Sequence, residues 1–62
     1  MLYQSYNAAY DAYGVMWHNL AEACMAVRYF SKVFQSTHCV VDRETGEVLR
    51  IYKCGEETYR AQ

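Results

Sequence analysis

The chain has 62 residues, a formal net charge of −1 and 53% hydrophobic residues. It is too apolar for disorder, and too near neutral to draw nucleic acid or an acidic membrane surface by charge. Its three cysteines cannot complete a disulfide framework within one chain, and no apolar run approaches the roughly 20 residues of a membrane helix. The start Met1-Leu2-Tyr3-Gln4-Ser5 lacks the basic and apolar regions of a signal peptide, so a reducing, cytoplasmic setting and no membrane association are expected.

In chain order, the first expected element is one long α-helix over about residues 5–35. The segment holds no proline and a single glycine, and Ala8, Ala9, Ala12, Leu20, Ala21, Glu22, Ala23, Met25 and Ala26 are good helix formers. Tyr3, Tyr6, Tyr10, Tyr13, Trp17, Leu20, Cys24, Val27, Ser31 and Phe34 recur alternately three and four apart, which places them on one helical side. Ser5 is a candidate cap. Gly14 is the weak point, costing about 1 kcal/mol relative to Ala. It marks either a break into two helices or a close backbone contact with another helix.

The second element is a β-hairpin over about residues 37–53. Thr37 to Asp42 and Glu47 to Lys53 are β-branched and aromatic runs, separated by Arg43-Glu44-Thr45-Gly46. Asp42 can accept backbone N–H groups ahead of it, and Gly46 can take a positive φ. With Asp42 opposite Glu47, Val40, Leu49 and Ile51 share one face with His38 and Lys53, and this face is assigned to the helix. Cys39, Val41, Val48, Arg50 and Tyr52 fall on the other. Gly55 ends the second strand, and residues 55–62 read as a polar tail. The fold class is therefore α+β, a long N-terminal helix followed by an antiparallel hairpin in one small domain of residues 1–62.

That arrangement leaves apolar surface uncovered. A helix of about 30 residues runs roughly 45 Å, whereas a six-residue strand spans about 20 Å. The hairpin then covers Leu20 to Phe34 and cannot reach Tyr3, Tyr6 or Tyr10. A homodimer is the expected remedy. Tyr3, Tyr6, Tyr10, Tyr13, Trp17 and Leu20 become the residues of a dimer seam or of a site for another protein, since Tyr and Trp suit wet, exchangeable interfaces.

The reactive side chains assemble into no recognisable chemistry. Cys24, Cys39, Cys54, His18 and His38 lack metal-ligand spacing, and His38 and Cys39 point to opposite faces of a strand. Asp11, His18 and Glu22 share a helix flank without a nucleophile beside them. Neither a metal, nor a cofactor, nor an enzymatic activity is expected. The basic candidates for nucleic acid, Arg28, Lys32, Arg43 and Arg50 with Tyr52, are interleaved with Asp42, Glu44, Glu47, Glu56 and Glu57. The Asp42-x-x-Thr45-Gly46-Glu47 turn is common to unrelated hairpins and supports no family resemblance. The functional expectation is a small protein-binding module, an adaptor or an inhibitor of a larger protein. A ribbon-type nucleic-acid regulator is the alternative.

Overall fold

The computed structural model describes all 62 residues and carries five strands and one helix. These are β1 (Tyr3–Asn7), β2 (Ala12–Trp17), α1 (Leu20–Val33), β3 (Thr37–Asp42), β4 (Val48–Lys53) and β5 (Glu56–Arg60). The strands form one antiparallel sheet in the order β2-β1-β3-β4-β5, with α1 packed on one face.

This overturns the expected long N-terminal helix. Residues 3–17 are a β-hairpin, and its turn carries the chemistry that breaks a helix. The Asn7 side chain accepts the Ala9 N–H at 3.0 Å, and Asp11 lies at a φ of 50°. The three-and-four spacing of the tyrosines is therefore not one face: Tyr3 and Tyr6 fall on opposite sides of β1, Tyr10 lies in the turn, and only Tyr6 and Tyr13 are brought together, by pairing across the hairpin. β1 also pairs with β3, setting Tyr3 opposite Asp42 and Asn7 opposite His38. The N-terminal segment is thus an inner strand held on both sides, and Tyr3, expected to lie beyond the hairpin's reach, pairs directly with it.

The helix begins at Leu20 because Asn19 caps it, its side chain accepting the Glu22 N–H at 3.0 Å. It ends where Gln35 turns to a φ of 46° and the Ser36 N–H reaches back to the Ser31 carbonyl. Ala23, Val27 and Ser31 are its buried residues, with Leu20 and Cys24 half-buried beside them. Leu20, Cys24, Val27 and Ser31 of the expected stripe therefore do face inward, whereas Phe34, expected to be covered as well, is exposed. The core is Tyr3, Ala23, Val27, Val40 and Tyr52, flanked by Trp17, Leu20, Cys24 and Leu49.

The β3–β4 hairpin keeps the expected turn. The Asp42 carboxylate accepts the Glu44 N–H, and Gly46, at a φ of 79°, donates its N–H to the Asp42 carbonyl. Its register departs from expectation by one residue. Val41 faces Val48, but a bulge then sets Val40 opposite Arg50 and His38 opposite Tyr52. The single extra residue turns Tyr52 and Arg50 to the helix and sends Ile51 and Lys53 to the opposite face, reversing their assignment. The segment read as a polar tail is also corrected, because Glu56–Arg60 pairs with β4 as a fifth strand. Cys54 and Gly55, at φ of 51° and 88°, make the tight turn between them.

Candidate interaction surface

Strand alternation and the cross-strand register define the face of the sheet that carries no helix. Tyr13 pairs with Tyr6, Tyr6 with Cys39, Cys39 with Ile51 and Ile51 with Tyr59. These five residues form one row across all five strands, roughly 19 Å long at the usual strand spacing. The Tyr6 and Tyr13 rings lie with centroids 5.0 Å apart, tilted at 52°. A second row runs Met16, Gln4, Val41, Val48. Neither row carries a charged residue; Lys53 and Glu56 stand opposite each other beyond their end.

Side chains on this face shield one another laterally. Cys39 and Val41 are buried on the central strand, and burial pushes the Cys39 thiol above its ordinary pKa. Towards the edges the cover runs out: Tyr13 is 59% exposed, Met16 51% and Tyr59 46%. The Tyr6 hydroxyl donates to the Asp11 carboxylate, which raises the Tyr6 pKa and holds the ring against the β1–β2 turn. Gln4 is buried; its amide donates to the Gly14 carbonyl at 3.0 Å, while its Oε1 has no partner.

The two edges of the sheet differ in kind. β5 carries Glu56, Glu57 and Arg60, charges that discourage pairing with another strand. β2 reads Ala-Tyr-Gly-Val-Met-Trp, with no charged residue and five of its six residues exposed. Opposite Ser5 it bulges at Gly14 and Val15. Gly14 is needed there because a Cβ would lie 2.6 Å from the Ser5 hydroxyl. Its close backbone approach is to a neighbouring strand, rather than to a helix as the sequence suggested.

The residues expected to form one stripe are therefore scattered. Tyr3 is buried in the core under the helix, and Trp17 and Leu20 pack half-buried at its margin. Tyr6 and Tyr13 stand on the helix-free face, and Tyr10, 81% exposed, sits in the β1–β2 turn. Sequence reasoning missed Met16, Ile51 and Tyr59. The alternation around Ile51 was visible, but the bulge that turns it outward was not. Tyr59 was hidden by its polar neighbours.

The helix side holds the ion pairs. Glu57 meets Arg60 at 3.1 Å and Arg50 at 3.8 Å, and the hydrogen bond from Arg60 foremost holds its carboxyl below the usual range. The Tyr52 hydroxyl donates to Glu57 at 3.3 Å, and burial first, with Cys24 beside it, pushes its ionisation well above the ordinary value. Arg28 donates to the Gly55 carbonyl and Arg50 to the Leu49 carbonyl. The basic residues proposed from sequence for a phosphate backbone thus include several tied into the fold. His38 is buried with Ser36 at 3.1 Å from its Nδ1, between Phe30 and Phe34. The pair has no acidic third member. No group of three or more His, Cys, Asp or Glu residues gathers as a metal site, and no helix is long and apolar enough to cross a membrane.

Comparison with known protein families, with curated proteins and with solved structures gives no match.

Proposed function

We propose that this chain is a small protein-binding module, an adaptor or an inhibitor, which engages a larger cytoplasmic protein with the helix-free face of its sheet. The observation that carries this reading is the row Tyr13, Tyr6, Ile51 and Tyr59, which reaches from edge to edge of that face with no element covering it. Rigid Tyr side chains on a strand scaffold give large contact area at low entropic cost and an outward hydroxyl for a wet rim. The partner surface that suits it is largely apolar, because the two rows hold no charged residue and Asp11 alone stands beside them, on the Tyr6 hydroxyl. A phosphate backbone is poorly served, since Arg28, Arg50 and Arg60 lie away from this face and are engaged by Gly55, Leu49 and Glu57.

The test compares three immobilised proteins in extract of the native host: wild type, Tyr13→Lys with Tyr59→Lys, and Tyr29→Lys on the outer helix surface. Bound proteins are quantified by mass spectrometry. A partner lost with the sheet variant, kept by the helix variant and little changed between physiological and roughly half-molar salt is expected. Equal capture by the sheet variant, or nucleic acid retained with a steep salt dependence, overturns the reading.

A further inference from the structure

We propose that the free edge of β2 pairs with β2 of a second copy, antiparallel, joining two five-stranded sheets into one. The edge is the starting point. A strand with one neighbour turns about half of its backbone N–H and C=O groups outward, and native proteins blunt such edges with charge. β5 follows that rule through Glu56, Glu57 and Arg60, whereas β2 offers Ala12, Tyr13, Gly14, Val15, Met16 and Trp17 with no charge at all.

The occupant follows from self-complementarity. In a twofold pairing that keeps all six residues matched, Tyr13 of one copy meets Met16 of the other, twice. Both stand on the helix-free face, being opposite Tyr6 and Gln4 respectively. A thioether against an aromatic ring is a favourable contact. Val15, 53% exposed, lies on the helix side in a groove of about 240 Å³ shared with Phe30, Phe34 and His38; in this register it comes opposite Gly14 of the other copy, with the two Val15 residues diagonal across the axis. No like charges oppose each other anywhere along the seam. The charged β5 edge, in turn, makes head-to-tail growth from β2 to β5 unfavourable, so the assembly closes at two copies.

Symmetry then fixes the shape. Antiparallel pairing of identical edges requires the twofold axis to be normal to the sheet, which leaves both helices on one side. The two tyrosine rows become a single face, twice as wide, so a partner with repeated or symmetric epitopes is held at two points. This extension rests on the proposed binding face, but the pairing itself does not.

The interface is small. A standard one takes roughly 800 Å² from each partner, about a fifth of the 4217 Å² this chain exposes. The half-exposed Tyr13, Val15 and Met16 and one strand edge supply less than that, and the Gly14–Val15 bulge shortens the regular ladder. A reversible dimer, populated at roughly 100 µM chain and dissociated near 1 µM, is the expectation for so little area.

Sedimentation equilibrium over that range, with hydrogen exchange of the β2 amides at both ends, tests the proposal. Expected are a concentration-dependent dimer, slower exchange within Ala12–Trp17 at high concentration, and at least roughly tenfold weaker association for Val15→Lys, which brings two ammonium groups close together diagonally across the axis in a partly desolvated seam. Tyr59→Lys, at the far edge, leaves association unchanged. Exchange of the wild type needs no variant, and circular dichroism confirms that Val15→Lys folds. A monomer throughout, a dimer without β2 protection, or association lost with Tyr59→Lys instead overturns the pairing. A monomer that still captures its protein partner through the tyrosine row sinks this inference alone; a β2 dimer that captures nothing sinks the proposed function alone.

Discussion

Ser31 is the most informative single position for stability. It is fully buried in α1, and its hydroxyl donates to the Arg28 carbonyl at 2.8 Å while accepting the Gly55 N–H at 2.9 Å. That second bond ties the helix to the β4–β5 turn, where Gly55 sits at a φ of 88°. Ser31→Ala keeps the volume nearly unchanged and leaves the Gly55 N–H without its acceptor. An orphaned donor costs about 1–3 kcal/mol, and the better helix propensity of Ala returns roughly 0.5. Gly55 is only half-buried, which puts the net loss near 1–2 kcal/mol. A domain this small has a total stability of about 3–5 kcal/mol, so the melting temperature should fall by roughly 5–15 °C. Urea unfolding followed by Trp17 fluorescence gives the number. Arg28→Ala removes the companion bond to the Gly55 carbonyl from an exposed side chain and should cost less than about 1 kcal/mol. If Ser31→Ala unfolds within about 0.3 kcal/mol of wild type, water replaces the hydroxyl and the clamp is not a stabilising element.

Two further changes probe the edges of the sheet. Gly14→Ala should destabilise by about 1–3 kcal/mol because its new methyl meets the buried Ser5 hydroxyl, and by at least about 1 kcal/mol less in a Ser5→Ala background; equal losses in both backgrounds would place the cost in backbone conformation instead. Glu57, whose carboxyl is held low chiefly by Arg60, contributes stability that is present above the ordinary carboxylate range and is lost as the pH falls through its depressed value. Glu57→Gln should therefore flatten the acid limb of stability against pH while leaving Tyr52 and Arg50 in place, and an unchanged acid limb in denaturant titrations at successive pH values would refute that role.

The particular errors of sequence reasoning share a physical cause. Tyr3, Tyr6, Tyr10, Tyr13 and Trp17 satisfy a helical period, and Ala8, Ala9 and Ala12 favour a helix, so local preference and pattern agreed on the wrong element. What overrode them is non-local. Tyr3 and Tyr6 gain partners on both sides, from β2 and from β3, and an inner strand buries more than an isolated helix of the same residues. The Asn7 and Asp11 turn was the local clue, since both residues favour capping and left-handed conformations over helix interiors. In the second hairpin the turn was legible because Asp42 and Gly46 act locally. The bulge beside Val41 was not, because no glycine or turn residue in the sequence marks it and it shows only in the pairing of β3 with β4.

The candidate surface divides the same way. Tyr6 and Tyr13 were singled out from sequence, but their neighbours on it, Ile51 and Tyr59, belong to strands some forty residues away and meet them only through register.

By itself, the sequence determined what acts within a few residues: the Asp42–Gly46 turn, the inward-facing Val27 and Ser31 of the helix, and a surplus of aromatic side chains that one small core cannot absorb. Only the tertiary structure decided that residues 3–17 are strands, that β1 lies between β2 and β3, and that a helix covers one face and leaves the other bare. Those outcomes rest on backbone hydrogen bonds and burial between segments distant in the chain. Such terms have no local signature, and in a chain this short they outweigh the propensities that do.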